Sequence, residues 1–318
     1  MNESSAPTES DAPPLPEAVL AGERSESLRI NGLRLLCRQW GDPHAPALVL
    51  LHGLRGYSGT WRALAAALSG EYHLIAFDQR GRGESDWDPE QNYYTDAYLA
   101  DLAGVVDTLG LERFALLGHS MGGTTAYVYA AGHPQRVTAL LIEDIAPGSS
   151  SQGPGAQRIV AEMATLPETF PSWAEARRYW RAKRPTVGDA ALEQRVAESM
   201  RRRCDGMITW RYDARGIRQT RMHPDPARVV DLWPVVARIT VPTLVIRGEK
   251  SDFCPLPTVE CMSAMNSHIT SVSVPNASHY VHDDAPLPFA NHVREFLRRC
   301  GWSPARPANR ISPIPEVP

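Results

Sequence analysis

Gly118-His119-Ser120-Met121-Gly122 places a serine with a glycine two positions to either side. This G-x-S-x-G spacing suits a sharp strand-to-helix turn that holds a hydroxyl out as a nucleophile. Residue frequencies alone would give such a match in about one chain of this length in ten, so the flanking sequence must decide. FALL at 114–117 reads as a strand and TTAYVYAA at 124–131 as a helix, with glycines that permit the close backbone approach such a turn demands. A structural serine is the competing reading, and the context favours a nucleophile for acyl transfer.

A serine hydroxyl attacks carbon only when a base removes its proton, so a histidine distant in sequence must lie near it in space. Of ten histidines, His279 is best placed, in SHYVHDDAP at 278–286, after the apolar run Thr270 to Val274 and before a final helix. His282, three residues on, reads as a loop or helix-cap residue. Negative charge developing on a carbonyl oxygen needs preorganised donors. LLHGLRG at 50–56 follows a strand with a glycine-rich loop that can aim the N–H of Leu54 beside that of Met121. An ordinary strand-to-helix turn is the plainer alternative. No H-E-x-x-H spacing occurs, so no metal site is expected. Neither G-x-x-x-x-G-K nor G-x-G-x-x-G occurs, and no cofactor is implied.

These residues must be positioned by elements of regular structure. Ser27 to Ile30 and Leu33 to Trp40 flank Asn31-Gly32, which predicts an antiparallel hairpin. Short apolar runs then alternate with helical segments, the pattern of a mostly parallel, twisted sheet flanked by helices, an α/β class. Strands are expected at Ala47 to Leu51, Tyr72 to Phe77, Phe114 to Leu117, Val137 to Ile142, Thr243 to Ile246 and Thr270 to Val274, with helices at Thr60 to Leu68 and Asp96 to Leu109. Between Pro147 and Arg238 the β-branched runs give way to helical, Arg- and Trp-rich sequence such as SWAEARRYWRAKR at 172–184. The organisation expected is a core over 25–146 and 239–301, a helical cap over 147–238, and disordered tails rich in Pro and Ser over 1–24 and 302–318.

A chain of 318 residues is long enough for one such core with an insertion. An apolar fraction of 43% and a charged fraction of 22% are those of an ordinary globular protein. The formal net charge of −3 offers no broad basic field, which argues against nucleic acid and for a small-molecule substrate. The first residues lack the basic start and apolar stretch of a secretory signal, and the sequence has no run of about 18 apolar residues. A cytoplasmic protein without a membrane partner, monomer or homodimer, is the expectation. Five scattered cysteines without a C-x-x-C pair read as free thiols.

Taken together, HGLRG, DQRGRGES at 78–85, GHSMGG at 118–123, EDIAP at 143–147 and SHYVHDDAP resemble the α/β-hydrolase superfamily over residues 28 to 300. The resemblance implies a Ser–His–acid triad. In most members the acid follows the strand after the cap, in a G-x-x-D pattern, whereas here Ser251 fills that place and Asp252 comes one later. The departure resembles a subgroup of compact bacterial esterases and amide hydrolases whose acid stands in a D-x-x-P sequence on the preceding strand. That position is Asp144, in Asp144-Ile145-Ala146-Pro147, which is favoured over Asp252.

The leading function is hydrolysis of a carboxylic ester or lactone. An amidohydrolase of a small carboxylate-bearing amide uses the same residues, and an inert hydrolase-like binding protein is the alternative from another class. Ser120 argues against haloalkane dehalogenases and epoxide hydrolases, which carry aspartate at the nucleophile position. A cofactor-free haloperoxidase or C–C bond hydrolase lacks supporting sequence. His119, Trp180, Trp210 and Arg55 are candidates to line the substrate site, and Trp173 and Tyr179 belong with them or with cap packing. The cap arginines Arg201 to Arg203, Arg211, Arg215, Arg218 and Arg221 raise the prospect of holding a substrate carboxylate by paired hydrogen bonds.

Overall fold

The computed structural model describes residues 22–149 and 153–302. Eleven strands run in chain order as β1 (Arg24–Ile30), β2 (Leu33–Trp40), β3 (Ala47–Leu51), β4 (His73–Phe77), β5 (Phe114–His119), β6 (Val137–Glu143), β7 (Thr169–Phe170), β8 (Met200–Arg202), β9 (Ile208–Trp210), β10 (Thr243–Gly248) and β11 (Ile269–Val274). Eight of them form one sheet in the order β1-β2-β4-β3-β5-β6-β10-β11. The pairings from β4 to β11 are parallel, and β2 joins both β1 and β4 antiparallel. The hairpin turns at Asn31 and Gly32, with φ of 49° and 81°.

The strand sequences explain the layering. Every residue of β3, β4 and β5 is buried, which is why they read as unbroken apolar runs. Successive side chains still point to opposite faces. Val49, Leu51, Ile75, Phe77 and Leu116 pack into one core with the helices Thr95–Thr108 and Met121–Gly132. Leu48, Leu50, Leu74, Ala76 and Leu117 pack into the other with the helices Arg62–Leu68 and Pro286–Arg299. The strand order reverses direction beside β3, since β4 lies on one side of it and β5 on the other. Loops leaving the carboxyl ends of β3 and β5 therefore diverge and open a crevice, where ligands bind in open α/β sheets.

Between β6 and β10 the chain leaves the sheet. This insert holds the helices Gly153–Ala164, Trp173–Lys183, Asp189–Ser199 and Ala214–Met222, and also a three-stranded antiparallel sheet in the order β7-β9-β8. The sheet departs from the wholly helical cap expected: its strands have only two or three residues, too few for an alternating pattern to register. The next helix, Leu232–Ala237, packs on Met121–Gly132, so the core resumes before residue 239. Most of the two tails lies outside the described residues. The tail boundaries shift, because Glu23 pairs with Arg38 and Arg62 and Trp302 donates to the Ala47 carbonyl at 3.1 Å. Among the described residues no helix is long and apolar enough to cross a membrane.

Candidate active site

Ser120 stands between β5 and the helix that starts at Met121, with φ 53° and ψ −116°. A non-glycine residue pays for that conformation in backbone strain, and the surrounding packing holds it there. A Cβ on Gly122 would lie 2.4 Å from the Leu51 carbonyl oxygen, so the turn closes against β3 only with glycine there. Gly53 plays the same part across the crevice, where a Cβ would meet the His119 ring at 2.6 Å.

The Ser120 hydroxyl lies 3.0 Å from His279 Nε2, and His279 Nδ1 lies 2.7 Å from Asp144 Oδ2. These three residues come from loops at the carboxyl ends of β5, β11 and β6. Phe253 stacks on the His279 ring with centroids 4.1 Å apart. Asp144 is fully buried and, like Ser120, has a positive φ, 54°. Its Oδ1 accepts from the Gly248 N–H at 2.8 Å, and its Oδ2 also accepts from the Ser251 hydroxyl. Asp252 faces elsewhere: both its oxygens take Arg158 N–H groups, at 2.7 and 2.9 Å, and Arg158 leads the causes that outweigh burial and hold the Asp252 carboxyl below its ordinary range.

Met121 is the first residue of its helix, so its N–H lacks an intrahelical partner. Leu54 faces it from the loop after β3, and both line one cavity with Ser120 and His279. Arg82 fixes the pair. Its guanidinium donates to the Leu54 carbonyl at 3.0 Å and to the Arg80 carbonyl at 2.7 Å, and lies 3.2 Å from the Met121 sulfur. His52 ties the same loop to the segment after β4 by accepting from the Gln79 N–H at 3.0 Å, and burial pulls its pKa down to about 4, so it is neutral. The DQRGRGES segment contains Arg82, but only the folded contacts reveal its bond to Leu54.

His119 lines the cavity, and its Nε2 donates to the His279 carbonyl at 2.9 Å. Burial, then the neighbouring His279 and His282, push its pKa well down, so this ring is a neutral prop beneath the His279 loop. His282 is held by Glu143 at 2.7 Å on Nδ1 and meets Thr60 at 3.1 Å on Nε2. His119, Glu143 and His282 bring ligand atoms within 4.8 Å of one another, but these hydrogen bonds already occupy atoms of all three.

Trp180 and Arg55 reach the cavity. Trp210 does not line it. Its indole donates to the Pro167 carbonyl at 2.7 Å within an aromatic cluster with Phe170, Tyr179 and Tyr212, so the substrate role expected of it is replaced by packing within the insert. Trp173 and Tyr179 are likewise part of the insert's core. Of the cap arginines singled out in the sequence, only Arg221 lines the cavity, and Arg184, Arg195 and Arg228 line it instead.

A model of the alpha/beta hydrolase fold matches residues 46–286. A Bacillus subtilis protein provisionally named as a 2-succinyl-6-hydroxy-2,4-cyclohexadiene-1-carboxylate synthase is 32% identical over 84% of this chain and 96% of its own. A 3-hydroxybutyrate-oligomer hydrolase from Cupriavidus necator is 30% identical over 77% of this chain and 87% of its own. The crystal structure of an E-2-(acetamidomethylene)succinate hydrolase superposes with a TM-score of 0.78 at 26% identity, covering 87% of this chain and 99% of that one.

Proposed function

The chain belongs to the α/β-hydrolase family of hydrolytic enzymes, and from that premise we propose that it cleaves a small-molecule carboxylic ester or lactone through an acyl-enzyme on Ser120. The observation that carries this reading is the unbroken line of hydrogen bonds from the Ser120 hydroxyl through His279 to Asp144.

In the proposed cycle the Ser120 Oγ forms a bond to the carbonyl carbon while His279 Nε2 takes its proton. The carbonyl electron pair moves to oxygen, where the Leu54 and Met121 N–H groups hold the charge. Asp144 accepts from Nδ1, fixing the tautomer and stabilising the imidazolium. Collapse breaks the bond to the leaving oxygen, which receives the proton from His279. Water then repeats the sequence against the acyl-enzyme and frees Ser120.

The second reading is an amidohydrolase of a small acid-bearing amide, favoured by the arginines around the cavity. It uses the same steps, with an amine as leaving group. Purified protein assayed on aryl esters of graded acyl length tests the first reading. Ser120→Ala is expected to lower kcat by at least about 1000-fold. If wild type cleaves neither esters nor lactones yet hydrolyses acid-bearing amides, the second reading replaces the first. A protein inert to all of these and unlabelled at Ser120 by a fluorophosphonate is a binding protein instead.

A further inference from the structure

The cavity beside Ser120 has a volume of about 180 Å³, room for a compact acyl group. Among the described residues its walls carry six arginines, Arg55, Arg82, Arg184, Arg195, Arg221 and Arg228, and no aspartate or glutamate. Several of these cations are accounted for within the protein. Arg195 pairs with Asp283, Arg228 with Asp96 and Arg55 with Glu162, while Arg82 donates to backbone carbonyls.

Arg184 differs. It is only 7% exposed, it follows the helix Trp173–Lys183, and its guanidinium lies over the face of Tyr280. Among the described residues its side chain makes no hydrogen bond or ion pair and rests on the face of Tyr280, whereas neighbouring Arg55 is held by Glu162. An unpaired buried cation is costly to keep. Burial, opposed by Tyr280, pulls the Arg184 pKa down to about 10, so it stays charged at neutral pH. Burial alone would raise the Tyr280 phenol, yet Arg184, Arg55 and Arg158 outweigh it and draw it downward. The Tyr280 ring stands 4.9 Å from that of His279, so the free positive charge sits one side chain away from the reacting centre.

We propose that Arg184 is a carboxylate subsite, and that the substrate carries a second acid group joined by a short chain to the reacting carbonyl. This rests on the hydrolase reading for its chemistry but not for its binding. A bound carboxylate would give the Arg184 guanidinium the acceptor it lacks, and Tyr280 would hold its plane in place.

Matched aryl esters of butyrate and hemisuccinate, which differ by a terminal methyl against a carboxylate, test the subsite when corrected for the enzyme-free rate. Wild type is expected to favour hemisuccinate by about 30-fold in kcat/KM. Arg184→Met should bring the ratio of hemisuccinate to butyrate kcat/KM from about 30 down to near 1, with Arg184→Lys recovering part of the preference. Thermal unfolding separates a ligand role from a structural one: Arg184→Met should leave Tm close to wild type, because loss of the Tyr280 contact is offset by removal of a buried charge. Equal rates on the two esters, or an equal loss on both in Arg184→Met, would overturn the subsite and leave the hydrolase standing. Succinate binding to Ser120→Ala, followed by calorimetry and abolished by adding Arg184→Met, would uphold the subsite even if neither ester is cleaved, and the ester reading would then fall alone. Absence of both turnover and succinate binding overturns the subsite.

Discussion

Asp144 and Asp252 differ in the company their carboxylates keep. Asp144 receives a backbone N–H, a serine hydroxyl and the His279 ring, whereas Asp252 is neutralised by Arg158. Asp144→Asn should therefore cost about 10⁴-fold in kcat, since the amide cannot hold the productive tautomer. Asp252→Asn should stay within about 10-fold, and steady-state kinetics of the two variants on one ester checks the contrast. At this scale Ser120 was legible as a candidate from its motif and His279 from the strand before it, whereas Asp144 was reached only through the family resemblance, since spacing alone does not separate it from Asp252. Arg184 and Arg82 were not legible as site residues, because an arginine that faces a cavity and one that faces solvent are identical in a string of letters.

Elements bring these residues to one edge and keep them there. A Cβ on Gly122 would collide with the Leu51 and His52 carbonyls, so Gly122→Ala should destabilise the protein by about 3 kcal/mol, read from denaturant unfolding, and reduce activity by displacing the Ser120 turn. The insert is joined to the core by Arg195, on the helix Asp189–Ser199, and Asp283, in the short helix Val281–Asp284. Burial would raise the Asp283 carboxyl, but Arg195 above all, then His282, outweighs it and takes the pKa down to about 2. A depressed acid contributes stability above its unfolded pKa and loses it as pH falls through the folded value. The contribution, roughly 2 kcal/mol, should be complete above about pH 5 and gone only near pH 1. Asp283→Asn should flatten that acid limb in a Tm-against-pH series while lowering Tm at neutral pH. The buried parallel strands were read from sequence to within about three residues because sheet burial writes itself as continuous apolar runs. The strands of the insert were invisible, being too short to show a period.

At the scale of the whole molecule, charge is distributed against its average. The chain as a whole is formally −3, yet the walls of the cavity carry arginines and no acid among the described residues. Composition reports only the sum and could not report a local basic field, since net charge has no position. An anionic ester should be drawn in by this local potential, so its kcat/KM should fall several-fold between about 10 and 300 mM salt, while a neutral ester of the same chain length should hardly change.

The site also has a history within each molecule's folding. Ser120 and His279 are 159 positions apart in sequence, and His279 and Asp144 are 135 apart. Arg82, from the segment after β4, joins the loops after β3 and β5 through the Leu54 carbonyl and the Met121 sulfur. Contacts that join such distant segments close late, after helices and local strand pairs have formed. The proposed nucleophile therefore depends on contacts between segments far apart in the chain, and a local opening of any one of these loops would disarm it.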